Sequence, residues 1–169
     1  MSPAHKRFLL LDECVGSVVV NLLINGLIAY LMFRGADRVP LWGQQSIAGD
    51  TIGTTFFLPL ITCLIVTPLA RGQVRSGRLA PLAGTPLGLG WMPERALWRG
   101  AVLGVICAAI VAPPALATLM RLGVTQQSFW HFVVFKAVFA AALGAVVTPL
   151  IALWAITANG APAAPVPAR

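Results

Sequence analysis

Four long apolar segments dominate this sequence, and each is long enough to cross a bilayer. They run from about Cys14 to Phe33, Thr51 to Ala70, Trp98 to Leu119 and Phe129 to Ile156. A helix of about 20 residues, rising 1.5 Å per residue, spans the ~30 Å hydrocarbon layer. Four such segments leave little polar chain to face water. Of 169 residues, 58% are hydrophobic and 10% charged, where a soluble domain carries about 25% charged residues. The same arithmetic excludes a disordered chain, which is charged and poor in apolar residues. The short alternating strands of a membrane barrel are missing from the sequence. The expected fold is an all-α membrane protein with four transmembrane helices.

Charge sets the expected orientation. Lys6 and Arg7 precede the first segment, Arg71, Arg75, Arg78, Arg95 and Arg99 crowd the connection between the second and third, and Arg169 ends the chain. The opposite side holds Arg34, Arg38 and Arg121. Basic residues are retained in the cytoplasm, so both termini and the central connection are expected there. The first segment has a basic start like a signal peptide, but its apolar run is too long and no A-x-A site follows, which points to an uncleaved anchor. Trp42, Trp98, Trp130 and Trp154 fall near segment ends, where an indole suits the headgroup layer. The net charge of +7 fits loops facing an anionic leaflet. It does not suggest nucleic acid, because no basic patch is interleaved with stacking aromatics. The expected partners are the lipid bilayer and a second copy or another membrane protein.

The chain also repeats itself. Val66-Thr67-Pro68-Leu69 returns as Val147-Thr148-Pro149-Leu150 after 81 positions, Gln44-Gln45-Ser46 as Gln126-Gln127-Ser128 after 82, and Glu13 as Glu94 after 81. Markers in one order at a near-constant offset indicate a tandem repeat, about 8–71 and about 90–157. Residues 72–93 form a cytoplasmic loop rich in Gly, Pro and Arg, and 158–169 an Ala/Pro-rich tail expected to be disordered. Each repeat unit is a helical hairpin entering and leaving on one side. Two such units share one orientation, so the expectation is a pseudo-two-fold four-helix bundle with its axis along the membrane normal, a parallel repeat.

Polar residues inside the segments are the candidate site. Glu13, Ser17, Asn21 and Asn25 recur every four residues and make one stripe on the first helix. Amides in hydrocarbon need partners, so the stripe should face the bundle or another subunit and meet second-helix threonines. The second helix carries Asp50, Thr51, Thr54, Thr55 and Thr62. Its Pro59 lacks an N–H, so the Thr55 carbonyl loses its helical partner. Pro68 and Pro149, in the repeated motif, are hinge or kink candidates with Pro59. Lys136 is the one basic residue well within a segment; it either points inward, towards Asn25, Asp50, Thr54 and Thr55, or reaches back to the surface. Pro113-Pro114 should kink or end the third helix, and Ala140, Gly144 and Thr148 give the fourth a small-residue face for close packing.

Other chemistries find little support. Cys14, Cys63 and Cys107 sit in apolar segments without a metal or redox spacing and read as small buried hydrophobes. His5 and His131 are isolated, so no metal or other cofactor is expected. No HExxH, GxSxG or carboxylate cluster points to an enzyme.

The runs Val39-Pro40-Leu41-Trp42-Gly43, Ser46-Ile47-Ala48-Gly49-Asp50 and Phe57-Leu58-Pro59-Leu60-Ile61-Thr62 resemble a group of small bacterial four-helix membrane proteins loosely labelled permeases. The resemblance covers the first hairpin best. It implies a bacterial inner-membrane protein with a leaning to transport, and it brings no catalytic or binding residue. Two functions follow as expectations: a small permease or channel, completed by further subunits because four helices enclose little space, or a non-transporting assembly partner or regulatory subunit.

Overall fold

A computed structural model describes residues 14–80, 82 and 92–157. Glu13, Lys6, Arg7, Trp91, Arg169, most of the Gly/Pro-rich connection and the 158–169 tail lie outside the described residues. The elements are α1 (Gly16–Phe33), β1 (Arg38–Pro40), α2 (Ile47–Arg75), α3 (Ala96–Ile110), α4 (Ala112–Arg121), β2 (Gln126–Ser128) and α5 (Phe129–Ala155). The chain is mostly helical. Four helical stretches, Gly16–Phe33, Ile47–Arg75, Ala96–Arg121 and Phe129–Ala155, are long and apolar enough to cross a membrane.

The second of these is longer than its apolar run suggests. Ser46 caps it, accepting from the Gly49 N–H at 3.1 Å and donating to the Gly43 carbonyl at 2.9 Å. A capped N-terminus satisfies donors that hydrocarbon would leave bare, so the helix begins at Ile47 rather than Thr51. At the other end it runs through the expected start of the loop at Gly72 to Arg75 and closes at Gly77, whose φ of +73° is a left-handed conformation suited to glycine. Pro59 and Pro68 lie inside this continuous helix and Pro149 inside α5. The third stretch does break. Pro113 and Pro114 remove two donors, so α3 stops at Ile110 and α4 restarts at Ala112, with the prolines in its first turn.

α2 and α5 pack on each other, α1 packs on α5, and α3 packs on α2. The close approaches are built on glycine. A Cβ on Gly104 would lie 2.5 Å from the Phe56 carbonyl oxygen, and one on Gly100 2.9 Å from Leu60 Cα, so the α3 backbone touches that of α2. On α5, a Cβ on Gly144 would lie 2.5 Å from Asn21 Nδ2, and Gly26 of α1 meets Ala137. The small-residue face of α5 is buried: Ala140 is fully covered and Gly144 and Thr148 are buried beside it.

Two apolar clusters hold the ends. One joins α2 and α5 through Leu58, Cys63, Val66, Ala140, Val147 and Ile151. The other gathers Phe33, Val39, Leu41, Ile47, Leu116 and Phe132 beneath the connections at the opposite end. There β1 and β2 pair antiparallel, with Val39 opposite Gln127, and tie the α1–α2 connection to the α4–α5 connection. The Leu41 N–H donates to Thr125 O and the Phe129 N–H to Asp37 O, extending the tie on both sides.

Candidate functional site

Because α1 leans on α5, a groove of about 840 Å³ runs between α1 and α2, with α5 as its floor. On α2 its lining extends from Gly49 to Leu69, about 30 Å of helix at 1.5 Å per residue. That is on the order of the full hydrocarbon thickness. Much of the lining is aliphatic and aromatic, from Ile24 and Ile28 on α1 and Phe57, Ile61 and Ile65 on α2. The polar residues of three helices converge on the same groove: Ser17, Asn21 and Asn25 from α1, Asp50, Thr54 and Thr62 from α2, and Lys136 and Thr148 from α5.

Asp50 owes its place to the Ser46 cap, which sets it in the first turn of α2. Lys136 lies two turns into α5 and points into the bundle, where Nζ donates to Asp50 Oδ1. The two side chains are 5% and 9% exposed, so water screens the pair little. The Thr54 hydroxyl also lies against the Asp50 carboxylate. Removing either partner would leave the other buried without its counterpart. The pair therefore fixes α5 to α2 at one end of the groove and keeps a strong local dipole at its wall.

The α1 amides are arranged differently from the expectation that they meet second-helix threonines. Asn21 Nδ2 donates to Ser17 O at 2.9 Å, and Asn25 Nδ2 to Asn21 O at 3.1 Å. The groove separates α1 from α2, so each amide turns to the carbonyl one turn back. The threonines do the same: Thr51 Oγ1 donates to Ile47 O at 2.7 Å and Thr55 Oγ1 to Ile52 O at 2.8 Å. Thr55 is fully buried and does not line the groove. Asn25 Oδ1 accepts no bond from the described residues, and Thr148 Oγ1 is buried without a partner. Both acceptors belong to residues that line the groove. A buried hydroxyl is usually satisfied, and that of Thr148 is an exception among the described residues.

Two features were missed in the sequence. Gly100 and Gly104 form a GxxxG pattern of the kind that brings membrane helices into contact, a signal that the sequence does carry. Arg99, assigned to a basic connection, is instead on α3 and fully buried. Its Nη2 donates to Thr67 Oγ1 and its guanidinium lies 3.6 Å from the centroid of the Trp154 ring. Arg71 and Arg75 likewise lie on α2 rather than in a loop.

No protein-family model matches the chain, and no solved structure matches it. An uncharacterized protein of Schizosaccharomyces pombe is 31% identical over 94 residues, a stretch that covers 54% of this chain and 18% of that protein. The chain thus spans less than a fifth of this relative's length.

Proposed function

We propose that the chain is a multi-pass protein of a bacterial inner membrane and acts as a small permease or channel, with the α1/α2 groove as one wall of the pathway. The observation that carries this reading is the groove: it follows α2 for about a bilayer's thickness and collects polar side chains from three helices. Asn21, Asn25, Asp50, Thr54 and Lys136 are its polar contacts. A second copy, set against the open side, encloses the path that one four-helix unit leaves open. Both termini and the Arg71–Arg99 end are cytoplasmic, as the asymmetry of basic residues requires.

The packing supports a pseudo-two-fold relation between the two halves. If α1 corresponds to α3 with α4, and α2 to α5, then α1 on α5 is the counterpart of α3 on α2. Each first helix packs on the second helix of the other half, and each contact uses glycine.

The test pairs flux with stability. Proteoliposomes are challenged with a panel of small polar solutes (glycerol, urea, glycine, monosaccharides) and their swelling followed by light scattering. Asn25→Leu is expected to abolish the swelling while shifting detergent stability by only about 1 kcal/mol, the scale of a hydrogen bond in membrane. No swelling with any solute, or equal swelling for both proteins, refutes the pathway.

A second reading rests on the aliphatic lining. Ile24, Ile28, Ile61 and Ile65 also suit a helix of another membrane protein, which would make the chain an assembly partner. In that case Asn25→Leu weakens assembly and no solute moves.

A further inference from the structure

The end of the bundle opposite β1 and β2 holds two arginines around one indole. Arg99 is the largest fully buried side chain of the described residues. Nη2 is bound to Thr67, Nη1 reaches Glu94 O at 3.5 Å, and Nε is buried with no partner. Arg71, half-buried, brings its guanidinium to 5.7 Å from the same Trp154 ring centroid, and its Nε is likewise buried and unpartnered. Among the described residues neither has a carboxylate within 4 Å, and the ion pair at that distance is Lys136 with Asp50. Asp37 stands beside β1 at the other end, Glu94 acts on Arg71 only from longer range, and Asp12 and Glu13 lie outside the described residues.

Burying two guanidinium charges without an anion is costly. The Trp154 face offsets part of that through cation–π attraction but leaves both Nε donors unused. Guanidinium groups present a planar fork that matches phosphate oxygens. Arg75 and Arg78, nearby in sequence, add to the positive field at this end.

We propose that Arg71, backed by Arg99 and Trp154, binds a phosphate-type oxyanion. Arg71 supplies the direct contact, because its side chain is open on one side. Arg99, locked between Thr67 and Trp154, supplies a fixed charge behind it. Two sources carry this chemistry: the headgroup of an anionic phospholipid, which the place of Arg71 and Arg75 in the last turns of a membrane-length helix favours, and a soluble phosphate. The inference needs the protein to sit in a membrane and is independent of transport through the groove.

The full chain, purified in nonionic detergent, is titrated with phosphatidylglycerol and with phosphatidylcholine and read by native mass spectrometry. Its thermal stability is measured beside this in phosphate and in chloride at equal ionic strength. Phosphatidylglycerol is expected to be retained over phosphatidylcholine. Arg71→Gln should lower its affinity about tenfold, the share of a charge-assisted hydrogen bond. Arg121→Gln, which removes the same charge at the opposite end, should leave it unchanged. Stabilisation by phosphate but not chloride, lost in Arg71→Gln, supports the site with a soluble oxyanion as its source. Equal retention of both lipids with no phosphate effect overturns the proposal, and so does wild-type binding by Arg71→Gln. Arg99→Lys keeps the charge and should retain lipid selectivity if it folds; loss of selectivity in a folded Arg99→Lys protein confines the role to packing and overturns the part given to Arg99.

Discussion

Alanine placed at Gly104, Gly144 and Gly26 should give a graded series whose order follows from the clearances at the three positions. At Gly104 the new Cβ would sit 2.5 Å from the Phe56 carbonyl oxygen, where a relaxed C···O contact is about 3.3 Å. Backbone cannot rotate away, so α3 must retreat by several tenths of an ångström. Overpacking of this kind costs about 1–3 kcal/mol, offset by about 1 kcal/mol from the better helix propensity of alanine. The net expectation is a loss of about 0–2 kcal/mol, and of about 1–3 kcal/mol relative to an unobstructed Gly→Ala change. At Gly144 the obstacle is Asn21 Nδ2, also at 2.5 Å, but a side-chain amide swings aside for the loss of one hydrogen bond, about 1 kcal/mol. That loss nearly cancels the propensity gain. At Gly26 the nearest atom is Ala137 Cβ at 3.4 Å, an ordinary contact, and the substitution should be neutral or slightly stabilising. Reversible unfolding in mixed micelles with rising SDS fraction ranks the three. Gly104→Ala as stable as Gly26→Ala, or Gly144→Ala the least stable, refutes the claim that α3 and α2 meet backbone to backbone.

Three further outcomes follow from the same geometry. Lys136→Met should destabilise by about 3–5 kcal/mol, because Asp50 is left buried without its counter-charge, and Asp50→Asn/Lys136→Met should recover most of that; a double-mutant cycle with no coupling between the sites removes the ion pair from the account. Thr148→Val should be neutral or stabilising by about 1 kcal/mol, since its hydroxyl is buried without a partner, whereas Thr67→Val should lose about 1–3 kcal/mol by leaving Arg99 short of an acceptor; equal losses at both positions would contradict the assignment. In a cysteine-free background, Leu122→Cys should react with a membrane-impermeant maleimide added to intact cells and Ser76→Cys should not, and the reverse pattern inverts the topology.

The four spans were legible because hydrocarbon demands a long apolar run for each crossing, and that demand acts on every residue of the run. The break before Pro113 was legible for a local reason, the loss of backbone donors. Helix ends were less so. Ser46 begins α2 four residues before the apolar run does, because a cap depends on one hydroxyl rather than on hydropathy. The packing order was not legible at all. Nothing in the periodicity of α1 says that it leans on α5, and the contact depends on Gly144 and Gly26 offering room at particular depths. The polar residues stand out in the sequence as a group, but their partners depend on that packing. With α2 across a groove, Asn21 and Asn25 bond within α1. The burial of Arg99 is not legible in the sequence, because charge near a helix end usually reaches water and only the coincidence of Thr67 and Trp154 makes a buried place for it.

Thr67 and Thr148 occupy the same position of the repeated Val-Thr-Pro-Leu motif, yet their surroundings differ in one respect that bears on function. Thr67 is covered by Arg99, which fills the space between α3 and the central pair. The residue 81 positions before Arg99 is Val18, too short and too apolar to reach Thr148. The hydroxyl of Thr148 therefore stays without a partner, at one end of the groove. The two motif sites thus have different surroundings: at Thr67 a guanidinium that lies on an indole, at Thr148 a buried hydroxyl without a partner among the described residues. A bundle needing only stability gains nothing from that difference, because a buried hydroxyl without a partner is a loss.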